Sequence, residues 1–309
     1  MNLFITGISG LLGLNIAHLA RDKFQVSGCY SGSDVCIDGV ETLKLDITDL
    51  TSTAKAVRAR KPHLIIHTAA RTSVDYCETN PKEAETINTV ASRNLASIAE
   101  NLGSKFVHIS TDQLFDGASS WKTEEDSPTP LNVYGDTKWR GEQQVAKECP
   151  SALILRTNFY GWGTSKRTSF SDWILHGLQQ KQDLTMFSDV FYTPILINHM
   201  AAILFSLVEA GASGLFHLVG SERLSKHDFA LRLATIFGYT DEYMRRGSVM
   251  RVPLNARRPL DMSLSSAKVE SYLKVQMPNV EEGLKMLKKL QEDGWPEALE
   301  KAHTNRKLD

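Results

Sequence analysis

The 309-residue chain has only four cysteines, Cys29, Cys36, Cys77 and Cys149, and they are far apart. Such scatter excludes a metal knuckle, and a chain this long needs no disulfide framework, so the thiols are expected as small buried apolar groups. An excess of one charge is also missing, since 35 Lys plus Arg stand against 36 Asp plus Glu for a net charge of -1. No long-range field that would gather nucleic acid or anionic lipid follows, and an anionic ligand must be held locally. No apolar run approaches the ~20 residues that span a bilayer. The first eight residues offer neither a basic leader nor a small-residue cleavage site, so a cytoplasmic protein without membrane contact is expected. Internal repeats and low-complexity linkers are absent.

What the sequence does have is a rhythm. Short apolar runs at 3–6, 25–30, 64–68, 106–110 and 153–156 alternate with helix-period stretches at 11–20, 53–59, 84–101 and 137–147. Repeated βαβ units of this kind build a parallel sheet. The short runs, such as Leu64-Ile65-Ile66 and Phe106-Val107-His108-Ile109, are almost continuously apolar. Strands covered by helices on both faces require that. The expected class is α/β: a Rossmann-type doubly wound parallel sheet over 1–157, with segments near 190–220 returning to it. The remainder, 158–309, is expected to form mainly a smaller C-terminal substrate lobe. Helices are expected there at 170–178, 198–210 and 278–290, and the charged tail after Trp295 reads as frayed or solvated.

The first strand runs into Thr6-Gly7-Ile8-Ser9-Gly10-Leu11-Leu12-Gly13 and then an apolar helix. Gly7 suits a tight turn, Gly10 lets backbone approach phosphate, and Gly13 lets helix pack on strand. The N–H groups at the helix start complete a pyrophosphate site. Gly7, Ser9, Gly10, Leu11, Leu12 and Gly13 are therefore candidate dinucleotide contacts. A glycine-rich turn can also merely turn, and the strand before it and helix after it favour the binding reading. Where an acid would hold a ribose 2′-hydroxyl, the second strand ends Tyr30-Ser31-Gly32-Ser33, which leans towards NADP(H) over NAD(H). Asp46 and Ile47 are placed at the adenine, and Ala69, Ala70 and Arg71 beside the ribose and phosphates. Each of these five reads equally well as a plain strand end.

Among eight tyrosines, only Tyr134 has a lysine four residues on, Lys138. Pro128 and Pro130 block helix before them, so the pair begins a helix with both side chains on one face. A phenol with a pKa of ~10 is a poor proton donor near neutrality, and a neighbouring ammonium is expected to lower it. Lys138 is also expected to hold the nicotinamide ribose. Thr111, at the end of the strand before, offers a hydroxyl to a substrate carbonyl. The bland alternative is an exposed helix pair worth a few tenths of a kcal/mol beside a strand-end hydroxyl.

Together with His67-Thr68-Ala69-Ala70-Arg71-Thr72-Ser73-Val74-Asp75, Asn88, Ser110-Thr111-Asp112, Phe115-Asp116-Gly117, Gly141-Glu142 and Arg156-Thr157, these motifs resemble the extended short-chain dehydrogenase/reductase superfamily. Within it the chain most resembles the dTDP-4-dehydrorhamnose reductase family, over most of its length. The resemblance implies reduction of a 4-keto group on a deoxy-sugar nucleotide, with Thr111, Tyr134 and Lys138 in the family's Thr, Tyr and Lys places. No metal is implied, and the oligomeric expectation is a monomer or homodimer. The related 4,6-dehydratases carry Asp-Glu where this chain has Asp112-Gln113, which disfavours dehydration. Gln113 stands where the reductases usually have Tyr, and Asn158-Phe159-Tyr160-Gly161-Trp162 differs from their Trp-containing segment. Val74, Asp112, Gln113, Phe159, Trp162 and Arg258 are the candidate substrate contacts. Arg258 would meet the diphosphate, although Arg257 and Arg258 read equally as surface ion pairs. Two other outcomes stay open: a non-catalytic dinucleotide-binding subunit resembling the regulatory subunit of methionine adenosyltransferase, and a nucleotide-sugar epimerase.

Overall fold

The computed structural model describes residues 1–304. Its strands are β1 (Asn2–Thr6), β2 (Gln25–Tyr30), β3 (Glu41–Lys44), β4 (Leu64–His67), β5 (Lys105–Ile109), β6 (Leu153–Arg156), β7 (Phe159–Tyr160), β8 (Leu184–Phe187), β9 (Phe191–Tyr192), β10 (Ile195–Leu196), β11 (Gly214–His217), β12 (Leu224–Ser225) and β13 (Met244–Gly247). Seven form one parallel sheet in the order β3-β2-β1-β4-β5-β6-β11. The winding reverses between β1 and β4, which opens a crevice at their carboxyl ends. The short strands pair as β7 with β10, β9 with β12 and β8 with β13.

The helices are α1 (Leu11–Ala20), α2 (Leu50–Arg60), α3 (Val74–Thr79), α4 (Pro81–Glu85), α5 (Ala91–Leu102), α6 (Val133–Glu148), α7 (Phe170–Gln179), α8 (Ile197–Glu209), α9 (Lys226–Phe237), α10 (Ala267–Leu273), α11 (Val280–Glu292) and α12 (Trp295–Thr304). The continuous apolar strands serve two cores. Leu3, Ile5, Leu64, Ile66, Val107 and Ile109 join side chains of α1, α8 and α11 on one face, whereas Phe4, Ile65 and Phe106 join α2, α5 and α6 on the other. Alternate residues of a strand point to opposite faces, so burial on both sides demands apolar residues throughout. Cys29, Cys77 and Cys149 are buried, and Cys36 is partly exposed. Among the described residues no helix is long and apolar enough to cross a membrane.

Two expectations need correction. The stretch 84–101 is not one α-helix, because a π-helical turn at Thr86–Val90 separates α4 from α5. That turn spends its polar side chains on neighbours: Asn88 Oδ1 accepts from Arg71 N at 2.8 Å, and Thr89 Oγ1 donates to Thr137 O at 2.8 Å. The widened turn thus ties the end of the β4 segment to α6, a use typical of π-bulges at functional sites. Nor is the tail after Trp295 frayed, since it forms α12 with Leu299 fully buried. Its apolar side docks on α1, Trp295 Nε1 donates to Asn15 Oδ1 at 2.9 Å, and Ala302 O accepts from Cys36 N at 2.7 Å. Residues 305–309 of that tail lie outside the described residues.

Candidate active site

The glycine turn lies at the switch point between β1 and β4. Gly7 has a left-handed φ of 71°, and a Cβ there would stand 2.8 Å from the Ala69 backbone, so only glycine fits. A Cβ on Gly13 would stand 2.4 Å from the Gly7 carbonyl oxygen, which is how closely α1 approaches the turn. Gly10 caps α1 without a side-chain hydrogen bond, and the N–H groups of Leu11, Leu12 and Gly13 have no acceptor among the described residues. Unspent donors at the positive end of a helix are the chemistry that a pyrophosphate needs, so the residues present fit a dinucleotide. Gly10 gives a clean test, because a Cβ there meets protein only at Gly7 O, at 3.1 Å, and otherwise faces the cradle. Gly10→Ala is expected to weaken NADPH binding about tenfold or more, a loss of roughly 1.4 kcal/mol, with little change in unfolding midpoint. Unaltered affinity in a fluorescence titration would place the phosphates elsewhere.

The neighbouring candidates divide. Ala69 lies against Gly7, Tyr30 is half-buried at the end of β2, and Ser31 is exposed beside it. The Asp46 carboxylate accepts from Thr48 N and Thr48 Oγ1 at 2.9 and 2.8 Å, closing its own turn, while Ile47 is buried in the core. The Arg71 guanidinium is turned to Glu83 of α4, with Nε 2.7 Å from Oε1, and lies over the Tyr76 ring. A phosphate would have to displace a carboxylate to reach it.

Tyr134 is the second residue of α6, behind the N-cap Asn132, whose side chain accepts from Gly135 N at 2.9 Å. Its ring is buried with Val74, Cys77, Ala84 and Ala256, so α3 and the C-terminal half of the chain grip it from two sides. The Thr111 hydroxyl stands beside the phenol at the end of β5. One turn on, Lys138 is buried; its Nζ donates to Ile109 O at 2.7 Å and sits 3.5 Å from His108 Nε2. Here the expected tuning fails. Burial pushes the Tyr134 phenol above its ordinary value, the Thr111 hydroxyl pulls it back, and the Asp112 charge adds to the rise. Burial also pushes Lys138 down to about 8, opposed by Glu142. Burial is the largest cause of both shifts, and the Lys138 ammonium donates to the β5 carbonyl beside a ring that burial and Lys138 hold neutral.

On the substrate side Asp112 is 1% exposed and accepts from Asn158 Nδ2 at 2.5 Å and Thr111 Oγ1 at 3.3 Å. Gln113 N donates to Thr111 Oγ1 at 3.2 Å, and Phe159 is half-buried next to Asn158. Arg258 donates to Asp75 Oδ2 at 2.7 Å, the ion-pair alternative, but Asp75 adjoins Val74 and the pair stands beside the Tyr134 cluster. Trp162 is buried. Its indole Nε1 donates to Leu287 O at 2.8 Å and its ring meets Phe237 edge-on at 6.1 Å, so it belongs to the core. Sequence reasoning missed Asn158 and Lys226, a half-buried lysine whose charge reaches Asp112. No local spacing announces either, because their partners are 46 and 114 positions away in the chain.

A doubly wound sheet with a phosphate cradle at its switch point and hydroxyl, phenol and ammonium along the next strand edges defines a class: NAD(P)-dependent oxidoreductases of the extended short-chain dehydrogenase/reductase type. The family described as the RmlD substrate binding domain matches residues 1–292, and the chain belongs to it. The probable low-salt glycan biosynthesis reductase Agl14 of Haloferax volcanii is 33% identical, over 93% of this chain and 97% of that protein. Methionine adenosyltransferase 2 subunit beta of Xenopus tropicalis is 29% identical, over 86% of this chain and 80% of its own. The solved dTDP-4-dehydrorhamnose reductase of Bacillus anthracis, in complex with NADP, superposes with a TM-score of 0.84 at 25% identity, covering 93% of this chain and 98% of its own.

Proposed function

We propose that this enzyme reduces the 4-keto group of a deoxy-sugar nucleotide, with NADPH as the preferred cofactor. One observation carries the reading: Thr111 and Tyr134 stand together at the carboxyl edge of the sheet, with Lys138 one turn behind and the glycine cradle two strands away. A nicotinamide bound there would supply the hydride. The protein's part is positioning and proton supply. Thr111 would orient the substrate carbonyl, and Tyr134, kept protonated by its burial, would donate the proton that the new alcohol oxygen needs. Lys138, still charged below about 8, would hold the ribose and offset the phenolate left behind. The cofactor preference is supported by the missing acid after β2 and by the NADP in the Bacillus anthracis structure.

The test is a stability screen of dTDP-, UDP-, GDP- and CDP-sugars with and without NADPH, followed by NADPH oxidation with the matching 4-keto sugar, since ligands that bind the folded state raise its melting point. Stabilisation by one nucleotide series and NADPH consumption with its ketone are expected. A second reading, a dinucleotide-binding partner subunit, is favoured by the likeness to the methionine adenosyltransferase beta subunit. It would be preferred if no ketone consumed NADPH while the protein altered a transferase's kinetics.

A further inference from the structure

Lys226 is placed where a cation is costly. It is the first residue of α9, directly after the N-cap Ser225, whose hydroxyl accepts from Asp228 N at 3.0 Å. A positive charge there faces the positive end of a twelve-residue helix. Its Nζ makes no hydrogen bond and no ion pair within 4.0 Å among the described residues. What surrounds it is aromatic and acidic: the Tyr192 ring centroid at 3.3 Å, the Phe170 ring at 4.8 Å, and the Asp112 carboxylate acting through space. Burial pushes the ammonium's pKa down and the Asp112 charge pushes it back up. A methionine would fill the same space without any of these penalties.

The group around it also has hydrogen-bond capacity left over. Tyr192 is 2% exposed and its hydroxyl has no hydrogen-bond partner among the described residues. Asp112 and Tyr192 are closed off, whereas Lys226 is only half-buried and its Nζ is not among the sealed atoms. The ammonium is therefore the member of this cluster that a ligand can reach. Asp112, whose charge reaches Lys226, is itself bonded to Thr111 and Asn158, which ties the ammonium to the substrate side of the site.

We propose that Lys226 is a specificity-determining residue that donates a hydrogen bond to a hydroxyl oxygen on the sugar of the bound nucleotide sugar. The inference rests on the reductase reading for its ligand class but not for its measurement. A hydroxyl fits better than a carboxylate because Asp112 already supplies the counter-charge, and a second anion beside it would be repelled. An ammonium-to-hydroxyl bond is charge-assisted and directional, which lets it select one epimer. The Tyr192 and Phe170 rings hold the ammonium by cation–π contact on one side and leave its remaining N–H groups for the ligand.

The experiment measures binding, with calorimetry on three probes: the nucleotide sugar selected by the stability screen, its nucleoside diphosphate alone, and NADPH. Lys226→Met is expected to weaken the nucleotide sugar about 10- to 100-fold and to leave the diphosphate and NADPH unchanged. Lys226→Arg, which keeps the charge, is expected to recover part of the loss, and thermal unfolding checks that Lys226→Met remains folded. Equal weakening of the sugar-bearing and sugar-free nucleotides, or none of either, would overturn the subsite. If the selective loss appears but no ketone is turned over, the reductase reading falls and the subsite stands. If turnover is normal and Lys226→Met discriminates nothing, the reverse holds.

Discussion

Tyr134→Phe is expected to lower ketone reduction about 10²- to 10⁴-fold, the usual worth of a positioned general acid, while NADPH affinity stays at the wild-type value. The substitution keeps the ring, so the packing with Val74, Cys77, Ala84 and Ala256 survives and the loss reports the hydroxyl alone. Its pH dependence carries the mechanism further. Because burial holds the phenol above its ordinary value, Tyr134 remains protonated across neutrality and supplies no limb there. Lys138 loses its charge as pH rises through about 8, so wild-type turnover is expected to fall above that value. Steady-state rates from pH 6 to pH 10 with saturating NADPH would show it. Wild-type reduction of the physiological ketone by Tyr134→Phe would end the assignment of the proton donor.

The parts of the site legible in the sequence are those whose requirement is local. Gly7 must turn with positive φ and Gly13 must let a helix approach, and both demands are written within seven consecutive residues. Tyr134 and Lys138 share a helix face by spacing alone, so their co-location could be read. Their electrostatics could not, because desolvation depends on what the rest of the chain lays over them: Ala256 over the phenol, His108 behind the ammonium. Trp162 misled for a related reason. The resemblance puts its segment at the sugar, yet its indole N–H donates to Leu287 O, 125 residues on. Lys226 and Asn158 acquire meaning only once α9 and the segment after β6 are folded against Asp112. In α12, Leu299 and Ala302 are too sparse among charged residues to announce a buried face, and docking on α1 decides the matter.

Glu142→Ala is expected to destabilise the fold by about 3–5 kcal/mol, the cost of leaving one member of a buried pair alone. Two motifs of the sequence, Gly141-Glu142 and Arg156-Thr157, prove to be the halves of this joint. Arg156 Nε donates to both Glu142 oxygens at 3.0 and 3.2 Å and Nη2 to Oε2 at 2.8 Å, with side-chain exposures of only 4% and 6%. The guanidinium also lies 5.6 Å from the centroid of Phe115 and 3.5 Å from His217 Nε2, neither of which can replace a carboxylate. With Glu142 gone, a cation stays buried beside β11 with no counter-ion, and on the order of 10 °C is expected off the melting temperature. The discriminating variant is the double substitution Glu142→Leu with Arg156→Met, which removes both charges and is expected to recover much of the lost stability. Urea unfolding of the three proteins would decide, and a single variant within error of wild type would mean that water reaches the guanidinium. Glu142 also lies two turns along α6 from Tyr134 and its charge holds the Lys138 ammonium up against burial, so Glu142→Ala is expected to lower turnover beyond the fraction unfolded and to move the alkaline limb to lower pH.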